Sequence, residues 1–159
     1  VAGSIEELCG IRTGIKWVND IFCGGRKICG ILTEAMSDFE SGMADTVIVG
    51  IGVNILTKDF PEDISGTAGC LGKFTERNRL CALTAARLLD LFSSGDDSAL
   101  IREYRERSIA LGREVSYLRD GVKYSGKALE IDDSGCLVIE TDSGRERLRS
   151  GEISIIGGF

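Results

Sequence analysis

Hydrophobic and polar positions alternate along this chain with a period that changes three times. Ile5, Leu8 and Cys9 recur at helical spacing, and the glycines of "GIRTG" predict the end of that helix. The stretch "GIKWVNDIF" is rich in β-branched and aromatic residues and predicts a strand. Gly24-Gly25 then predicts a tight hairpin turn, with "RKICGILTEA" as the returning strand. "ADTVIVGIGVNI" is almost continuously apolar, which predicts a strand covered on both faces and central in its sheet. A polar loop from Leu56 to Phe74, holding Pro61, follows and belongs on the surface.

Helical spacing returns in "TERNRLCALTAARLLDLFSSG", from Thr75, where Leu80, Leu83, Leu88, Leu91 and Phe92 recur near 3.6 residues and Ser93-Ser94-Gly95 closes the run. "DDSALIREYRERSIALG" predicts a further helix, begun by an Asp or Ser cap and striped by Leu100, Ile101 and Tyr104. After Gly112 the pattern alternates apolar with polar and is cut by "RDGV", "DDSG" and "DSGR" turns, which fits five short strands. The predicted fold class is therefore α+β. A partial mixed β-sheet with flanking helices occupies residues 1–111, and a small SH3-like β-barrel occupies residues 112–159, serving as a stabilising cap or as a partner-binding surface.

Composition narrows the chemistry. With 159 residues, 43% of them hydrophobic, the chain can bury a core. A formal net charge of −6 argues against a general grip on nucleic acid or anionic membrane. No apolar run approaches the ~20 residues needed to span a bilayer, and no signal-peptide layout opens the chain, so a cytoplasmic location is expected. The six cysteines are scattered through apolar context without C-x-x-C spacing and read as reduced core thiols. Histidine is absent, which removes Ser-His and Cys-His nucleophile pairs and His-ligated zinc; catalysis would fall to lysine, carboxylates, amides or backbone groups.

Two stretches carry candidate chemistry. In the predicted hairpin, Lys16 and Lys27 lie on neighbouring strands, so both ammonium groups could reach one site, although a strand lysine is commonly a solvated edge residue. In "GIGVN", Gly50 follows a buried strand where a ligand can approach the backbone, and Asn54 can bond a ribose or phosphate. Asn19-Asp20 reads either as part of the site or as a turn or bulge using Asx side chains, and Trp17 as core or pocket wall. "GCLGKF" fails as a phosphate-binding loop, because its first glycine is misplaced and Phe74 stands where Ser or Thr is required.

Taken together, "KWVNDI", "RKICGILTE" and "VIVGIGVNI", followed by paired helices and a terminal β module, resemble the C-terminal half of bacterial biotin protein ligases over essentially the whole chain. That resemblance implies a fold like the class II aminoacyl-tRNA synthetases. It also implies an activity: biotin and ATP give biotinyl-5′-AMP and pyrophosphate, and the biotinyl group passes to a lysine of a biotin carboxyl carrier protein. It implies for Lys27 an essential contact with biotin and the phosphate. A fixed ammonium in a dry site stabilises the charge that spreads over the phosphoryl oxygens. Lys16, Asn19, Asp20, Gly30, Gly50 and Asn54 match the family's biotin- and ATP-binding positions, with Asp20 reaching Mg²⁺ through water.

Two departures qualify the match. Val18 stands where many relatives carry proline, which affects rigidity more than chemistry. The family's upstream glycine- and arginine-rich segment, of the R-G-R-x-x-R type, has no counterpart in these 159 residues. The expectation is a piece of a longer protein, inactive alone and prone to homodimerise through an exposed sheet edge. Alternative readings are a lipoyl-ligase-type acyl transferase and a non-catalytic carrier-protein-binding or dimerisation module.

Overall fold

The computed structural model describes residues 1–37, 44–72 and 76–158. The ends of the two expected elements at Phe74 and Thr75, and Lys73 of the rejected phosphate loop, lie outside the described residues. Helix α1 (Ala2–Cys9) stops at Gly10 and buries Ile5 and Cys9. Strands β1 (Gly14–Lys16), β2 (Asp20–Cys23), β3 (Arg26–Ser37) and β4 (Ala44–Val53) form a sheet in that order, each pairing antiparallel with the next. Among the described residues, parallel pairing is confined to two isolated bridges, Ile15 with Ser108 and Lys27 with Ala68. Gly24 and Gly25 make the β2–β3 turn at φ values of 55° and 76°, a conformation that side chains with a Cβ resist.

Two expectations change here. The single strand expected over "GIKWVNDIF" is two strands, because Trp17–Asn19 turn back and β1 pairs with β2 through Lys16 and Asp20. Lys16 and Lys27 are consequently two strands apart, with β2 between them. The apolar run in β4 lies at the end of the sheet order and not at its centre. An unbroken apolar run reports apolar demand on both faces but does not say which strand lies alongside. In the described residues one face of β4 turns Val49, Ile51 and Val53 toward Leu80, Thr84 and Leu88, across a groove of about 840 Å³.

Helix α2 (Arg77–Ser94) ends at Gly95, and only Leu80 and Thr84 along it are fully buried; Leu89, Leu91 and Phe92 are exposed. Helix α3 (Asp97–Arg107) is capped by Asp96, whose carboxylate accepts from the Ala99 amide at 3.0 Å. The alternating tail forms the five expected strands: β5 (Glu114–Arg119), β6 (Val122–Ile131), β7 (Leu137–Thr141), β8 (Gly144–Leu148) and β9 (Ile153–Ile155). Their antiparallel order, β8-β7-β6-β5-β9, is an SH3-like arrangement. The six cysteines form no disulfide; Cys9, Cys29 and Cys136 are buried, whereas Cys81 is exposed and not a core thiol.

Each sheet has its own core. Ile5, Cys9, Ile21, Ile28, Cys29, Leu71 and Leu80 pack behind the first. The second gathers Val115, Tyr117, Ala128, Ile131, Leu137, Ile139 and Ile153, and it also takes in Trp17 from the β1–β2 turn. That indole is 1% exposed and donates from Nε1 to the carbonyl of Gly135 at 3.0 Å. Beside it the Tyr104 hydroxyl donates to the Val18 carbonyl at 2.8 Å, and the Ile109 amide donates to the carbonyl of Ile15 at 3.0 Å. The first sheet is thus pinned to the second through the loop that carries the K-W-x-N-D motif.

Candidate functional site

A one-residue irregularity decides which way the central lysine points. Along β2 and β3, Asp20 pairs with Gly30 and Ile21 with Cys29, but Phe22 then pairs with Lys27, so that Ile28 is the extra residue of a β-bulge. Strict alternation would put Lys27 on the face of Cys29, inside the first core. The bulge instead buries both Ile28 and Cys29 at 1% exposure and returns Lys27 to the face of Asp20, Phe22 and Gly30. Behind it, burial pushes the Cys29 thiol up to about 11, which leaves it protonated and inert at neutral pH.

Lys16, Asp20, Gly30 and Gly52 form one cross-strand row over β1 to β4, and Leu32 with Gly50 begins the next. An open cavity of about 490 Å³ stands on this face, lined among others by Asn19, Asp20, Lys27, Gly30, Gly50 and Gly52. Its floor is bare because its glycines have no side chains. At Gly30 a Cβ would sit 3.3 Å from Lys27 Cε and 3.4 Å from its Nζ, so the missing side chain is the space the lysine uses. Lys27 Nζ lies 2.6 Å from Asp20 Oδ1, and its side chain is 44% exposed to the cavity. Asp20 is buried at 7% side-chain exposure, with Oδ2 3.6 Å from Lys16 Nζ.

The candidate residues therefore separate. Asn19, Asp20, Lys27, Gly30 and Gly50 come together around the cavity. Asn19 fixes the edge of the site, since its side-chain amide donates to the Ile31 carbonyl and its own carbonyl accepts from the Ile31 amide at 3.0 Å. Lys16 stands behind Asp20, with its ammonium 3.2 Å from Glu152 Oε1 and 5.6 Å from the centre of the Phe22 ring. Asn54 does not line the cavity: its side chain donates to the Gly69 carbonyl at 3.0 Å, and its amide and carbonyl bond Ile28 and Leu71, which lays the following loop onto β3. Sequence reasoning missed Glu152 and Tyr104. A lone carboxylate opening the apolar strand of "GEISII" is the one signal that could have pointed to Glu152.

A divalent cation does not fit this set as a directly held ion. Among the described residues no group of three or more Asp, Glu, Cys or His side chains could hold one. Asp20, the cavity's carboxylate, has its oxygens turned toward two ammonium groups. What the arrangement offers is a fixed positive charge above a flat glycine floor, suited to an anionic group that must approach the backbone closely.

Known proteins resemble this chain in sequence and fold. Residues 2–54 match the model of the biotin/lipoate A/B protein ligase family, and residues 110–155 match that of the biotin protein ligase C-terminal domain. A bifunctional ligase/repressor BirA of Bacillus subtilis is 32% identical over 98% of this chain and 50% of its own length. A biotin–[acetyl-CoA-carboxylase] ligase of Mycobacterium tuberculosis is 30% identical over 89% of this chain and 53% of its own. The chain spans about half the length of the curated relatives it matches. The biotin protein ligase of Aquifex aeolicus, solved in complex with biotin and ATP, superposes with a TM-score of 0.77 at 26% identity, covering 97% of this chain and 66% of that one. Its apo form gives 0.80 at 28% identity, covering 97% and 69%. With both of its sheets and its lysine-bearing motifs accounted for in this way, the chain belongs to the biotin protein ligase family.

Proposed function

We propose that the natural gene product carrying this chain activates biotin with ATP and transfers it to a lysine of a biotin carboxyl carrier protein. The observation that carries this reading is Lys27, held by Asp20 at 2.6 Å and exposed over the glycine floor, within a chain matched by both family models. In the first step a carboxylate oxygen of biotin bonds to the α-phosphorus of ATP, the bond to the β-phosphate oxygen breaks, and pyrophosphate leaves. In the second the carrier lysine's amine attacks the acyl carbon, an amide forms, and AMP and a proton leave. Lys27 faces the phosphoryl oxygens as their charge grows, and Asn19, Gly30 and Gly50 shape the approach to it. If Mg²⁺ accompanies the nucleotide phosphates, Asp20 would be the carboxylate to reach it, through water, and the ion would add charge neutralisation at those phosphates. Asn54 serves the site by holding the loop beside it.

The functional units are residues 1–111, contributing to adenylation, and residues 112–159, the SH3-like module. No helix among the described residues is long and apolar enough to cross a membrane, and the proposed place of action is the cytoplasm. Val47, Ile48 and Ile51 of β4 are exposed, which favours homodimer formation along that strand; sedimentation showing monomer alone at high concentration would remove the dimer from the reading.

The test is biotin-dependent ATP–pyrophosphate exchange by the natural gene product. Lys27→Ala should lower the exchange rate about 100- to 1,000-fold, the usual loss when one electrostatic group is taken from a developing oxyanion. Exchange that survives the substitution would take the role away from Lys27. Because the N-terminal family model covers lipoate as well as biotin ligases, lipoate is run as competitor. Exchange with lipoate and not biotin would select the acyl-transferase alternative, and exchange with neither would select a binding module.

A further inference from the structure

The two lysines of the site are not equivalent. Lys27 is 44% exposed and faces the cavity, whereas Lys16 has an 11% exposed side chain and is enclosed by Asp20, Glu152 and the Phe22 ring. Lys16 is not among the residues that line the cavity, and its ammonium lies against Asp20 and Glu152. Its effect must pass through Asp20, the carboxylate it shares with Lys27. Lys16, Asp20 and Lys27 together sum to one positive charge, since two ammonium groups face one carboxylate. Glu152 lies 3.2 Å from Lys16 but is 81% exposed, so its charge acts on the cavity through water and more weakly than that of the buried Asp20. Without Lys16, Asp20 and Lys27 would form a neutral pair, and an incoming anion would meet no net attraction.

Resting on the adenylation reading above, we infer that Lys16 is a positioning residue and not a phosphate ligand. It offsets the charge of Asp20, so that Asp20 can hold Lys27 in place without cancelling its charge. Glu152, from the loop just before β9, lies 3.2 Å from Lys16 on its outer side. The same carboxylate that orients the reactive cation would otherwise extinguish it, and the second lysine resolves that conflict.

Lys16→Met in the natural gene product should raise the KM for ATP in pyrophosphate exchange about tenfold, the scale of one unit charge acting across roughly 10 Å near a protein surface. Adding Asp20→Asn to Lys16→Met should bring the KM back toward wild type, because Lys27 is again uncancelled, while kcat stays low because Lys27 has lost its anchor. Lys16→Arg, which keeps the charge, should hold the KM within about threefold of wild type. If Lys16 contacts the phosphates directly, the double variant will bind ATP no better than Lys16→Met, and the inference is overturned. Should Lys16→Met fail to fold, Lys16→Gln in the same two backgrounds reads the same sign.

A urea-unfolding cycle on these variants needs no substrate and separates the two proposals. Lys16→Met and Asp20→Asn should be strongly non-additive in midpoint if the pair is coupled, and additivity would overturn the inference. A wild type that shows this coupling but no biotin-dependent exchange would overturn the proposed activity and leave the charge network standing.

Discussion

Replacing Trp17 gives the most direct test of how the two sheets depend on each other. The indole belongs to the loop between β1 and β2, yet it is 1% exposed within the core of the second sheet and donates to the Gly135 carbonyl at 3.0 Å. Trp17→Ala removes the whole ring from a site walled by strands on several sides, where collapse is restricted, so the loss belongs in the range of about 3 to 5 kcal/mol. Gly135 is half-buried, and water can take over its carbonyl, so the hydrogen bond adds about 1 kcal/mol. With a urea m-value of about 2 kcal/mol per molar, a loss of about 4 kcal/mol moves the midpoint down by about 2 M. Trp17→Phe keeps most of the apolar contact and should cost about 1 to 2 kcal/mol. Urea unfolding of the natural gene product, followed by circular dichroism, measures both. A midpoint for Trp17→Ala within about 0.5 M of wild type would refute the claim that this residue joins the sheets.

Two other substitutions probe the frame around the site. Ser4 is fully buried in α1, and among the described residues its hydroxyl has no hydrogen-bond partner; Ser4→Ala should therefore raise stability by about 1 kcal/mol, seen as a higher urea midpoint. Asp132 is held down to about 2, from an ordinary 3.8, by the Arg147 guanidinium and by the amides of Cys136 and Ser134. A carboxyl lowered on folding contributes stability that is complete above its unfolded value and disappears as pH falls through the folded one. The stability difference between wild type and Asp132→Asn should accordingly be constant above about pH 5 and shrink between about pH 4 and pH 2. A difference that does not change across that window would refute the assignment.

Local pattern made much of this molecule legible. Glycine stops and apolar spacing located α1 and α2, an Asp cap located the start of α3, which ends at Arg107 and not at the expected glycine, and the turn residues "RDGV", "DDSG" and "DSGR" marked off strands of the tail. Polar residues at fixed spacing in "KWVND" and "RKICGIL" pointed to Asn19, Asp20, Lys27 and Gly30, which do meet around one cavity. What stayed hidden were properties of pairing. A turn at Trp17–Asn19 splits an apparently continuous β-forming stretch, and no local propensity announces it. The bulge at Ile28 exists because two adjacent apolar residues, Ile28 and Cys29, both find core, a preference set by what lies behind them. Glu152 was invisible for the same reason: it meets Lys16 across a separation of 136 residues. Asn54 has a further contact that no local signal announces, since its side chain also fastens a loop by donating to the Gly69 carbonyl.

That long separation also fixes an order of events during synthesis. Lys16 and Trp17 emerge from the ribosome near the start of this stretch, but their partners among Gly135, Leu137, Ile139, Glu152 and Ile153 come last. At about 5 to 20 residues per second, a gap of 136 residues means a wait of about 7 to 27 s. Throughout that interval the indole and the lysine ammonium have neither a core nor a counter-ion from the second sheet. The growing chain can close its first hairpins early, but it cannot lock the lysine site until the final strand has been made. A ribosome stalled shortly before Glu152 would therefore display a nascent protein with its motifs in place and its site unassembled.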